Sequence, residues 1–151
     1  MYLRIRGSEF SGRIFKEIEA ITNGAILHFR DVRYDKEKAL VVLPIDRFGR
    51  TREKTSCFGI FRHYKTFYGG DRIPATIAIR NVIHYEIVDH MPTGYDEFEI
   101  PFGLGIKGNR IFAASMEEDT KYEALYDVEI GVNEIDIEIK DKSADKIDSS
   151  Q

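Results

Sequence analysis

At 151 residues, 42% of them apolar and 32% charged, the chain has the size and make-up of a single globular domain able to bury its own core. No stretch approaches the roughly 18 consecutive apolar residues of a membrane-spanning helix, and the opening MYLRIRGSEFSGR lacks the apolar run and small-residue cleavage site of a secretory signal. With one cysteine, Cys57, and so no internal disulfide, the expectation is a cytoplasmic protein; its net charge of −4 works against a general affinity for polyanions.

In chain order, residues 2–6 read as a first strand. Phe10, Ile14, Ile18 and Ile21 then recur at spacings of four, four and three, one apolar stripe on a 3.6-residue period, with Ser11 placed to cap a helix and Asn23-Gly24 to stop it. Residues 25–34 and 39–46 are rich in β-branched and aromatic side chains and flank the polar break Asp35-Lys36-Glu37-Lys38, which predicts a β-hairpin. The stretch GRTRE, residues 49–53, has no apolar periodicity and reads as an exposed loop. Further strands are expected at 57–67, 73–89, 97–102, 110–115 and 122–130. The run 73–89 exceeds the usual strand length, so a bend or bulge is expected near Asn81.

The last element is the clearest. In EIDIEIKD, residues 134–141, Ile135, Ile137 and Ile139 fall on one side and Glu134, Asp136, Glu138 and Lys140 on the other, as a strand with one buried face requires. KDKSADKIDSSQ, residues 140–151, offers little to bury and reads as a mobile polar tail on a domain spanning 1–139. The whole pattern predicts a mostly β fold, an antiparallel barrel or sandwich of about nine strands with one N-terminal helix, the barrel being favoured because closure removes exposed edges.

Several patterns resemble chemistry. Residues 103–108, GLGIKG, match the glycine fingerprint of dinucleotide-binding loops, but that mechanism needs a helix opening at the third glycine, and NRIFAAS reads as a strand. The glycines are better explained by a hairpin loop that needs positive φ. His84, Glu86 and His90 alternate onto one strand face, yet His90 would lie roughly 20 Å from His84 along a straight strand, too far to share a metal. Cys57 has Arg52 and Lys54 nearby in sequence, which would favour a thiolate, but no nucleophile signature surrounds it. The carboxylates at 117–119 suit a solvated turn. No catalytic residue, cofactor or metal ligand is assigned on these grounds.

Residues 47–72, RFGRTREKTSCFGIFRHYKTFYGGDR, are the exception to the acidic balance. From Asp46 to Arg72 there are seven basic and three acidic residues, net +4, so the remainder carries −8. Arg47, Arg50, Arg52, Lys54, Arg62, Lys65 and Arg72 supply the charge, and aromatic residues, Tyr64 among them, are interleaved with it. This is the composition of a surface that grips phosphates and stacks on bases, and these residues form the candidate binding site for an anionic ligand or nucleic acid. A competing reading is self-association or docking of a protein partner, since residues 117–148 carry twelve acids against four lysines and complement the basic segment.

Overall fold

The computed structural model describes residues 1–9, 11–58, 61–89, 98–100, 103–114 and 126–142, and within these the side chains except those of residues 9, 50–58, 61–70, 89, 98, 114, 126 and 127. Strand β1 (Tyr2–Arg6) leads through a 3-10 turn to helix α1 (Gly12–Thr22). The helix starts where its cap chemistry dictates: the Ser11 hydroxyl accepts from the Ile14 amide at 3.4 Å. It stops at Asn23, whose amide returns to the Glu19 carbonyl, and Gly24 leaves at φ +74°. Ile18 and Ile21 are buried and Ile14 packs against the same core, which is the stripe the sequence predicts; Phe10 lies outside the described residues.

After β2 (Ala25–Leu27), a 3-10 turn at Phe29–Asp31 and β3 (Arg33–Asp35), the chain enters β4 (Leu40–Phe58) and β5 (Phe61–Ile79), each 19 residues long. The expected hairpin is therefore split. Both β2 and β3 pair antiparallel with the same edge of β4, at Ile45–Asp46 and at Leu40–Val42 respectively, and the 3-10 turn steps the chain between them. The remaining strands are β6 (Val82–Asp89), β7 (Phe98–Ile100), β8 (Gly105–Lys107), β9 (Arg110–Ala114), β10 (Tyr126–Val132) and β11 (Asp136–Asp141).

These strands form two sheets, one ordered β1-β11-β5-β4-β2-β7 with β3 alongside β4, the other β6-β10-β9-β8. The fold is mostly antiparallel β with one helix, and the sheets do not close into a barrel, so the favoured barrel gives way to the two-sheet alternative. The chain changes sheets between β5 and β6, where Asn81 adopts φ +61° and its carbonyl accepts from the Asn133 amide; this is the bend expected near Asn81. Alternate residues of both sheets, Val41, Leu43, Ile45, Ile77 and Ile79 from one and Ile111, Val128, Ile130 and Val132 from the other, join the helix stripe in a single core.

The glycine run resolves as a structural device. Gly103 (φ +78°) lies so close to α1 that an added Cβ would sit 2.5 Å from the Glu19 carbonyl, and Gly108 (φ +60°) turns the tight β8–β9 hairpin. The buried Thr22 hydroxyl donates to the Ile18 carbonyl and accepts from the Leu104 amide, each at 2.7 Å, tying the helix end to this loop. Among the described residues no helix is long and apolar enough to cross a membrane.

Three further sequence expectations are corrected by the structure. The tail boundary at 139 is too early: Lys140 and Asp141 belong to β11, Asp141 is buried, and the Lys142 amide bonds the Pro74 carbonyl. The exposed loop expected at 49–53 is part of β4, and the strand expected at 57–67 contains a chain reversal, because Phe58 pairs with Phe61.

Candidate functional site

The basic segment forms the outer part of the β4–β5 hairpin. Up to the level of Asp46 and Pro74 this hairpin is flanked by other strands, β2 against β4 and β11 against β5. Beyond Phe48 and Arg72 the two strands pair with each other and, among the described residues, with no third strand. The ladder from Gly49↔Gly69 to Phe58↔Phe61 is thus a two-stranded ribbon about 27 Å long at the usual rise per residue.

Its root is clamped by two of the predicted site residues. Arg47 follows Val41, Leu43 and Ile45 on the core face of β4 and is 4% exposed. There its guanidinium meets Asp141, 3% exposed, in a two-pronged pair, Nε to Oδ1 at 2.8 Å and Nη2 to Oδ2 at 2.6 Å, while Nη1 donates to the Phe48 carbonyl. The Met1 ammonium also donates to Asp141 Oδ2, at 2.8 Å. Burial by itself would push the Asp141 carboxyl up, but the hydrogen bonds and charges of Arg47 and the ammonium outweigh it and hold the carboxyl below its ordinary value. Arg72 lies on the outside, its guanidinium 4.3 Å above the Phe48 ring and its Nη2 donating to the Gly24 carbonyl at 3.2 Å. These two arginines anchor the ribbon to the body.

Between root and arm the register shifts: Phe48 pairs with Arg72 but Gly49 with Gly69, leaving Gly70 and Asp71 extra on β5. Above this step the pairs are Arg50↔Tyr68, Thr51↔Phe67, Arg52↔Thr66, Glu53↔Lys65 and Lys54↔Tyr64. A bulge at Thr55 then re-phases β4, giving Ser56↔His63, Cys57↔Arg62 and Phe58↔Phe61. Because directly opposed residues share a face, Arg50, Arg52, Lys54 and Arg62 lie on one face with Tyr64 and Tyr68 and with no carboxylate. Lys65 lies on the other, opposite Glu53, together with Phe58, Phe61 and Phe67.

Of the eight predicted site residues, the ladder therefore brings Arg50, Arg52, Lys54, Arg62 and Tyr64 to one face, places Lys65 on the opposite face, and uses Arg47 and Arg72 at the root. Asp141, the partner that occupies Arg47, is the residue that sequence reasoning missed.

Two other places hold polar clusters. An open groove of about 580 Å³ is lined by His28, Asp31, Arg33, Asp46, Thr76 and Lys142 among others, with His28 Nε2 2.8 Å from Asp46 Oδ2; its two carboxylates and two cations give it no preference for charge of either sign. On β6, His84 Nε2 and Glu86 Oε2 stand 3.6 Å apart and both are about half exposed. Among the described residues no group of three or more potential ligands comes together to hold a metal; His90 and residues 116–119 lie outside them.

The fold and site define a class in structural terms, an open two-sheet β protein that carries a cationic two-stranded arm. The chain matches no protein-family model, no curated protein and no solved structure.

Proposed function

We propose that this protein binds a polyanion, with nucleic acid as the ligand class, through the cationic face of the β4–β5 ribbon. One observation carries the reading. The ribbon from Gly49 to Phe58 and Phe61 to Gly69 contains five basic residues and one acid, and its whole net charge of +4 lies on one face, while Glu53 and Lys65 cancel on the other. A solvated arm has no need of such segregation. A row of cations repeating at every second residue, roughly 6.6 Å apart, presents the charge in the linear form that a phosphodiester chain takes. Arginine at three of the four positions favours forked hydrogen bonds to phosphate oxygens. The cations lie on the part of β4 and β5 beyond the last level flanked by other described strands, and their charge is opposite in sign to the −8 carried by the remainder of the chain.

The test is a comparison of charge reversals by face, read as binding of a labelled oligonucleotide across a salt series. Arg50→Glu with Arg52→Glu lowers the dependence of log K on log salt by about 1.4 to 1.8, at 0.7 to 0.9 per lost phosphate contact. Lys65→Glu on the opposite face makes a smaller change. Equal effects per charge on the two faces, or absence of polyanion binding by the wild type at low salt, overturn the reading. A salt-sensitive oligomer indifferent to nucleic acid would identify the arm instead as the contact for an acidic surface on a second copy.

A further inference from the structure

The register separates more than charge. On the cationic face the β4 row is Arg50, Arg52, Lys54 and Cys57, and the β5 row is Tyr68, Thr66, Tyr64 and Arg62. Up to the Cys57↔Arg62 pair at the far end, cations thus run along one strand and hydroxyl-bearing residues along the other, the two rows about 5 Å apart. The aromatic residues are sorted as well. Both tyrosines of the ribbon, Tyr64 and Tyr68, lie on the cationic face, and its three phenylalanines, Phe58, Phe61 and Phe67, lie on the opposite one. Tyrosine serves where one side of the ring is apolar and its end is wet, as at a nucleic-acid surface, whereas phenylalanine does not need water.

From this juxtaposition, and resting on the polyanion reading above, we infer that the ligand is single-stranded nucleic acid lying along the ribbon, its sugar-phosphate chain over Arg50, Arg52 and Lys54 and its bases over Tyr64 and Tyr68. In a duplex the faces of the bases are stacked on one another, so an aromatic row gains nothing from them; unpaired bases offer those faces freely. A duplex gripped by its two phosphate strands would also be better served by cations on both rows, and β5 supplies only Arg62 at the far end. Tyr64 and Tyr68 are four residues apart on β5, about 13 Å, so they act as two separate stacking stations with Thr66 between them.

The experiment compares a short oligothymidylate, a DNA duplex of equal length and heparin, each titrated into wild type, Tyr64→Ala and Tyr64→Phe at matched salt. The chain has no tryptophan, so tyrosine emission is read directly, and stacking of thymine quenches it. The expected result is that the single strand binds more tightly than the duplex and quenches tyrosine emission while heparin does not. Tyr64→Ala weakens the single strand by roughly 5- to 150-fold with an unchanged salt slope, and Tyr64→Phe restores binding. If duplex, single strand and heparin bind alike and Tyr64→Ala changes nothing, the single-strand inference is wrong and the polyanion reading stands. If none of the three binds at low salt, both fail. Circular dichroism of each variant identifies loss of fold; because the chain has eight tyrosines, the stacked base is assigned to residue 64 by the share of the wild-type quenching that disappears in Tyr64→Phe, and quenching undiminished there overturns the inference.

Discussion

Replacing Asp141 by Asn tests whether the ribbon is anchored by a buried charge pair. The substitution keeps the size and shape of the side chain but removes the negative charge, leaving the Arg47 guanidinium, 4% exposed, without its counterion. Breaking a buried pair from one side costs about 3 to 5 kcal/mol, because the surviving charge stays desolvated. For a domain of this size, where 1 kcal/mol shifts the thermal midpoint by about 2 to 4 °C, the expected drop is roughly 6 to 20 °C. The double substitution Arg47→Met with Asp141→Leu removes both charges and is expected to recover most of that loss. The pH dependence follows from the depressed pKa of Asp141. Its stabilising contribution is fully present above the unfolded value near 3.9 and is lost as pH falls through the lower folded value, so the gap between wild type and Asp141→Asn narrows below about pH 4. Thermal and urea unfolding followed by circular dichroism at pH 7 and through the acid range measure both effects. A cost below about 1 kcal/mol at pH 7, or a gap that widens on acidification, would refute the argument.

Gly103→Ala is expected to lower stability by about 2 kcal/mol or more, because φ +78° is strained for any side chain and the new methyl would meet the Glu19 carbonyl, which belongs to the helix backbone and cannot turn aside. Gly108→Ala, at φ +60° with nothing within 4 Å of the added carbon, pays the backbone strain alone, so thermal melts in which Gly108→Ala is the more damaging would contradict this. Amide hydrogen exchange is expected to be fast from 50 to 58 and 61 to 68 and slow from 41 to 45 and 75 to 79, since a two-stranded ribbon is marginal in water while the latter residues sit in a multi-stranded core. Uniform protection along both strands would show that the arm is covered. Added oligonucleotide should slow exchange in the arm before it changes the core.

The parts of the fold that face a core were legible, because burial imposes a period. Ile135, Ile137 and Ile139 alternate since one side of this strand is buried, and Ile14, Ile18 and Ile21 recur on the helix period since one stripe of α1 packs on the core. The ribbon was not legible for the same reason in reverse. Among the described residues no further strand pairs with these two, and no apolar row is selected between residues 49 and 56; their regularity comes from pairing with residues further along the chain, which periodicity within one segment does not register. The reversal between Phe58 and Phe61 was hidden because it falls inside a run of aromatic and β-branched residues. The Arg47–Asp141 pair did leave a signal. Extending the alternation of Val41, Leu43 and Ile45 by one step reaches Arg47, and extending that of Ile137 and Ile139 reaches Asp141, so two opposite charges fall at buried positions one step past the last apolar residue of their strands.

That placement explains how one hairpin serves both body and arm. Below the step, β4 and β5 belong to the large sheet and their inner residues are core; above it, among the described residues, they pair only with each other. The change happens across a single level at which Gly49 faces Gly69, with Gly70 and Asp71 extra, so the ladder there has no side-chain pair to stabilise it and is locally at its weakest. Immediately beneath, Arg47 is held by Asp141, and Arg72 by the Phe48 ring and the Gly24 carbonyl, so the body's last level is its most strongly tethered. A weak level directly above a strong one confines motion of the arm to the arm. On the proposed reading, the cost of ordering the ribbon on a polyanion is met by contacts along its cationic face, and the core below the tethered level is left undisturbed.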